Sequence, residues 1–101
     1  SYEALIRYCG ANGIVNPYSK KPPTRMAILK AIWRWAIRKE NFDKGYEIVQ
    51  AVQRDEGNFM TKAEWKEFLG EKIKTAYQYR EQDYKRFLKR NGYEIQPSDL
   101  A

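Results

Sequence analysis

Lys20, Lys21, Thr24 and Arg25 lie in one six-residue stretch that leads into a strongly periodic apolar run. Cations and a hydroxyl beside the unpaired amides of a helix start favour an anion, and a phosphate is the ligand that combination suits. Lys30, Arg34 and Arg38 then follow at four-residue steps, which places them on one helix face as a stripe able to track successive backbone phosphates. Two nearby rings could stack on a base: Tyr18 in the loop and Trp35 on the helix. Trp33 and Trp35 border the stripe on opposite sides, and each also suits a core position. A second basic set, Lys85, Arg86, Lys89 and Arg90, falls in the last turns of a long helix, where cations equally offset the negative end of the dipole.

Other chemistries find little support. With no His and one Cys among 101 residues, the chain lacks the parts of a His-dependent hydrolase, a Cys/His zinc site or an intramolecular disulfide. Eight tyrosines invite a Tyr nucleophile, but no neighbouring residue set would activate one. Asp55, Glu56 and Asn58 resemble part of a calcium loop, yet Val52 and Gln53 occupy the earlier ligand positions and Gly57 to Glu64 is one residue too long. No phosphate-binding glycine loop, dinucleotide fingerprint or zinc-protease motif is present, so a non-enzymatic domain without cofactor or metal is expected. Cys9 falls on an apolar helix face and reads as a small core residue.

The elements that must carry these residues are helical. Tyr2, Leu5, Ile6 and Cys9 recur at helical steps, predicting a helix over 2–13 that Gly10 and Gly13 weaken and end. Residues 14–24, with three prolines, predict an extended, polyproline-like loop. Thr24 suits an N-cap for a helix over 25–38. In that helix Trp35, Ile28, Ile32, Ala36, Leu29, Trp33, Met26 and Ile37 fill an arc of about 200° and leave the basic stripe opposite.

Asn41 or Asp43 can cap a third helix, which buries Tyr46, Val49 and Val52 or Ile48 and Val52 and ends at the turn Asp55-Glu56-Gly57-Asn58. Thr61 and Glu64 form a capping box, with Met60 placed to staple against Trp65, so a fourth helix starts at Lys62. Its apolar spacing continues to Asn91-Gly92, where glycine can take the left-handed closing conformation, with a break near Gly70 plausible in so long a segment. The tail from Tyr93 to Pro97 reads as extended, with a further turn from Ser98. The expectation is all-α: one compact bundle of four to five helices over 1–101, with the Pro-rich loop between the first two.

With 43% apolar and 32% charged residues the chain can bury one modest core. Its net charge of +6 is uneven. Residues 1–39 hold eight Lys/Arg and one acid, residues 40–71 four basic and eight acidic, and residues 72–101 seven basic and four acidic. An acidic partner is therefore expected, DNA or RNA first, with an acidic protein surface as the alternative and no membrane. No apolar run reaches the roughly 20 residues of a span, and "SYEALIRYCG" lacks signal-peptide order, so an intracellular protein is expected. A start at Ser1 suits a domain excised from a longer chain.

Two stretches resemble known families. Residues 4–33, "ALIRYCGANGI", a loop, then "TRMAILKAIW", look like the helix, extended loop and helix of SAP, LEM and Rho-N-terminal modules, which implies binding of nucleic acid or, for LEM, of a protein. Residues 75–100, "TAYQYREQDYKRFLKRNGYEIQPSDL", are similar to a helix in the core-binding domain of tyrosine recombinases, which implies DNA.

Overall fold

A computed structural model describes residues 2–16, 18–21, 23–54 and 60–100. The chain divides into two compact units, Ser1–Phe59 and Met60–Ala101. Among the described residues, every regular element is helical: five α-helices and a closing 3₁₀ turn, with no strand. The expected all-α class is what the chain adopts.

In the first unit, α1 spans Tyr2–Ala11, α2 Arg25–Arg38 and α3 Phe42–Arg54. Helix α1 stops two residues short of its predicted end because Gly13 takes φ 71°. In that conformation the Gly13 N–H donates to the Gly10 carbonyl at 3.0 Å and the Ile14 N–H to the Cys9 carbonyl at 2.8 Å, closing the last turn. Helix α2 starts where Thr24 predicts: its hydroxyl accepts from the Ala27 N–H at 3.1 Å. Of the two candidate caps for α3, Asn41 precedes the helix and its carbonyl accepts from Gly45 N–H at 3.1 Å, while Asp43 lies in the first turn.

Helix α3 packs against both α1 and α2. Ile28, Ile32, Trp33, Trp35, Ala36 and Ile37 of α2 are buried, as are Phe42, Ile48, Val49 and Val52 of α3 and Leu5 and Cys9 of α1. Each large side chain so removed from water contributes about 1.5–3 kcal/mol before conformational entropy is counted. Burial also pushes the Cys9 thiol pKa up, as expected for an inert core cysteine. Met26 departs from the predicted apolar arc: in the first turn of α2 it is 76% exposed. The predicted turn at Asp55-Glu56-Gly57-Asn58, together with Pro17 and Pro22 of the proline loop, lies outside the described residues.

In the second unit, α4 spans Lys62–Ala76, α5 Glu81–Arg90 and the 3₁₀ turn Pro97–Leu100. The capping box is complete: Thr61 Oγ1 accepts from Glu64 N–H at 3.1 Å and Glu64 Oε1 accepts from Thr61 N–H at 2.9 Å. That backbone hydrogen bond holds the Glu64 carboxyl below its usual range.

The break in the long apolar segment falls at residues 77–80 rather than at Gly70. A glycine inside a helix costs only about 1 kcal/mol relative to Ala, and α4 runs through it because Trp65, Leu69 and Ile73 around it are buried. Gln78 adopts φ 53° instead, a left-handed conformation that costs a non-glycine residue about 1–2 kcal/mol. The return packs α5 against α4 and buries Phe87 and Leu88, which more than offsets that cost. Helix α5 closes at Asn91-Gly92 as predicted: Gly92 has φ 66°, and its N–H and that of Tyr93 donate to the Lys89 and Leu88 carbonyls at 3.0 and 2.8 Å.

The tail closes on a charge. Lys66 sits on the apolar face of α4, 6% exposed, and its Nζ donates to Asp99 Oδ2 at 2.8 Å and to the Glu94 carbonyl at 3.2 Å. Asp99 Oδ2 also accepts from the Gln96 N–H at 2.7 Å. The tail turn therefore begins at Pro97, one residue before the predicted Ser98, with Asp99 drawn back to Lys66.

The two glycines and Asp99 give expected outcomes. Gly92→Ala meets no atom within 4 Å but keeps φ 66°, so it should lower unfolding stability by about 1 kcal/mol from backbone strain alone. Gly70→Ala, whose methyl would meet Leu88 Cδ1 at an ordinary 3.6 Å, should gain up to about 1 kcal/mol from helix propensity. Urea melts followed by circular dichroism read both. The Lys66 ammonium, then the Gln96 amide, lower the Asp99 pKa from its ordinary 3.8. That contribution to stability is complete above the ordinary value and is lost as pH falls through the lowered one. Asp99→Asn should therefore reduce the urea midpoint near neutral pH, and the gap to wild type should narrow as acidification passes below the ordinary carboxylate range.

Candidate functional site

Five of the six predicted cations of the first unit are open to solvent. Lys20, Lys21, Lys30, Arg34 and Arg38 are exposed and Arg25 is half-buried. Among the described residues no ion pair involves Lys20, Lys21, Lys30, Arg34 or Arg38. The reason is local: no Asp or Glu occurs between Glu3 and Glu40, so α2 has no acidic neighbour on its own turns. Steps of four residues advance about 6 Å along the axis and 40° around it, so Lys30, Arg34 and Arg38 form a gently winding row.

Ahead of that row the chain is organised by short bonds. Asn16 Oδ1 accepts from the Tyr18 N–H at 2.9 Å, and Ser19 Oγ donates to the Lys21 carbonyl at 3.0 Å. Tyr18 is left 90% exposed. Thr24, expected beside a bound phosphate, is exposed but directs its hydroxyl to the Ala27 amide. Its oxygen thus sets the helix start, and the hydroxyl keeps its own proton as a donor.

Both tryptophans take the core position that the apolar arc gave them, and the stacking role expected of Trp35 is corrected. Trp35 is 9% exposed, and Trp33 is buried too, with the Arg34 guanidinium 5.6 Å from its ring centroid. An arc of about 200° needs its wide side chains at both edges, so each ring is drawn inward and neither face is open to a base. Tyr18 remains as the exposed ring of this region, joined by Met26, which periodicity had assigned to the core.

The second basic set divides. Lys85 pairs with Glu81 at 3.1 Å, and the hydrogen bond raises the Lys85 pKa and lowers that of Glu81. Both side chains are largely exposed, so the pair is weak and Lys85 can exchange partners. Arg90 lies over the Phe87 ring at 5.1 Å. Arg86 and Lys89 are exposed.

Three features escaped the sequence. Arg86 and Arg90 share a cavity with Arg80, Tyr79 and Gln78, assembled by the unexpected turn at 77–80. A wider open groove of about 670 Å³ between α4 and α5 runs beneath Phe68, Tyr84 and Leu88, with Glu67 and Glu71 in its lining. The buried Lys66 did have a signal: it stands three, four and seven residues before Leu69, Gly70 and Ile73, on the apolar stripe itself. Among the described residues no three His, Cys, Asp or Glu gather as a metal set, and no helix is long and apolar enough to cross a membrane. The acidic residues compared above with a calcium loop lie outside the described residues.

No family model, curated protein or solved structure matches the chain.

The opposite burial of the two rings gives a direct check. Trp35→Ala should cost about 3–5 kcal/mol of unfolding stability, whereas Tyr18→Ala should stay within about 0.5 kcal/mol of wild type. Chemical denaturation of the two variants measures the contrast.

Proposed function

We propose that the chain is a non-enzymatic nucleic-acid-binding domain that contacts mainly the phosphate backbone through residues 18–38. The observation that carries this is the row Lys30, Arg34 and Arg38 on α2, exposed and without ion-pair partners among the described residues. Lys20, Lys21 and Arg25 extend the charge to the helix start, where the macrodipole adds to it. Cations held this way exchange condensed counterions on a polyanion, giving affinity with little base selectivity. Tyr18, exposed in the loop, would add stacking. Such a domain would serve as an accessory part of a replication, recombination or mobile-element system.

A second function is favoured by one specific observation: Tyr18 and Met26 are both large, apolar and open to solvent near the same cations. Aromatic and Met anchors within a charged rim suit a protein partner with an acidic face.

Anisotropy titrations with labelled single- and double-stranded DNA and RNA over a salt series distinguish the two. Nucleic-acid binding should show a steep logarithmic loss with salt, and Lys30→Gln/Arg34→Gln/Arg38→Gln should reduce that slope by about 3, one per phosphate contact. The circular dichroism spectrum should not change. Absence of binding to every nucleic acid at low salt would overturn the nucleic-acid function.

A further inference from the structure

The turn between α4 and α5 builds a cavity of about 410 Å³ whose lining residues include three arginines, Arg80, Arg86 and Arg90, and one acid, Asp83. The lining therefore carries an excess of two positive charges. Arg80 and Arg86 are in no ion pair among the described residues. Arg86 and Arg90 are one helical turn apart on α5, and Arg80 immediately precedes its first residue, so all three belong to one short stretch around the same cavity.

Beside them is an aromatic surface. Tyr79 is 41% exposed and stands edge-on to Phe87, with ring centroids 5.8 Å apart and planes at 86°. Phe87 itself is buried. The Arg90 guanidinium lies over the Phe87 ring as well, 5.1 Å from its centroid. Gln78 completes the lining with an amide that both donates and accepts.

We propose that this cavity is a binding site for one nucleotide of a single strand, with the arginines on the phosphate and the base against Tyr79. Guanidinium forks match phosphate oxygens, often bidentately. An exposed ring accepts a base only when that base is unstacked, which selects single-stranded over duplex nucleic acid. A phosphotyrosine ring would also lie against Tyr79 but has no hydrogen-bonding edge, whereas the Gln78 amide gives a base edge a donor and an acceptor. This site lies within Met60–Ala101 and stands independently of the α2 row.

The test uses the full chain with a labelled oligothymidylate, a duplex of the same length, thymidine monophosphate and a phosphotyrosine peptide as probes. Tyr79→Leu should weaken the oligothymidylate about tenfold or more with little change in salt slope. Arg80→Gln/Arg86→Gln should lower that slope by about 1–2. Ultraviolet cross-linking of a bromodeoxyuridine oligonucleotide should label Tyr79. Thymidine monophosphate should perturb the amides of residues 78–90 in nuclear magnetic resonance spectra if a free nucleotide suffices, and only the oligonucleotide should do so if the strand is required; either result supports the site.

Unchanged affinity and slope in both pocket variants would overturn it, as would capture of the phosphotyrosine peptide without the oligonucleotide. Loss of oligonucleotide binding in the α2 variant alone leaves the α2 function standing and overturns the pocket. Binding that survives the α2 variant and fails in the pocket variants does the reverse.

Discussion

The basic row of the first unit is arranged by what α2 must bury. Six of its fourteen residues are sealed against the rest of that unit, and no charged residue can share that arc without a partner. Lys30, Arg34 and Arg38 are consequently confined to the narrow remainder of the helix circumference. Their alignment follows from packing: a wide apolar face concentrates its cations, and the lack of acids from Ala4 to Lys39 leaves that concentration unneutralised. The same packing decides the tryptophans, whose rings are too large to sit at the edge of the arc without being drawn into it.

The second unit meets a different constraint. A single uninterrupted helix from α4 into α5 would carry Phe87 and Leu88 away from Leu69 and Ile73. Folding back buries them and asks in return for one left-handed Gln78. That return also brings Arg80 beside Arg86 and Arg90, and stands Tyr79 against Phe87. The tail is secured by the buried Lys66, which satisfies Asp99 and the Glu94 carbonyl together. Removing either charged partner would leave the other with a single hydrogen bond, to the Glu94 carbonyl for Lys66 or from the Gln96 amide for Asp99, so the pair both confines the tail and stabilises the unit.

Features governed by nearest neighbours were legible in the sequence. Thr24 and Thr61 mark helix starts because their hydroxyls reach amides three residues on, and Gly13 and Gly92 mark helix ends because the closing residue must be left-handed. The apolar spacing that names Ile28, Ile32 and Ala36 as core also places the Lys30–Arg34–Arg38 row. Met26 was misassigned because periodicity gives a direction and not the reach of the neighbouring helix. The split at 77–80 escaped because "AYQYRE" contains neither proline nor glycine, and nothing local to it opposes a helix.

By itself, then, the sequence determined the all-α class, the ends of most helices and the basic row on α2, since each depends on interactions within a turn or two of the chain. Only the tertiary structure decided that Trp35 is core and Tyr18 is surface, that the long apolar segment folds back at Gln78, and that Arg80 joins Arg86 and Arg90 around an exposed ring. The physical reason is the range of the interaction. A cap or stripe compares residues three or four apart, while burial compares each side chain with whatever the rest of its unit brings against it.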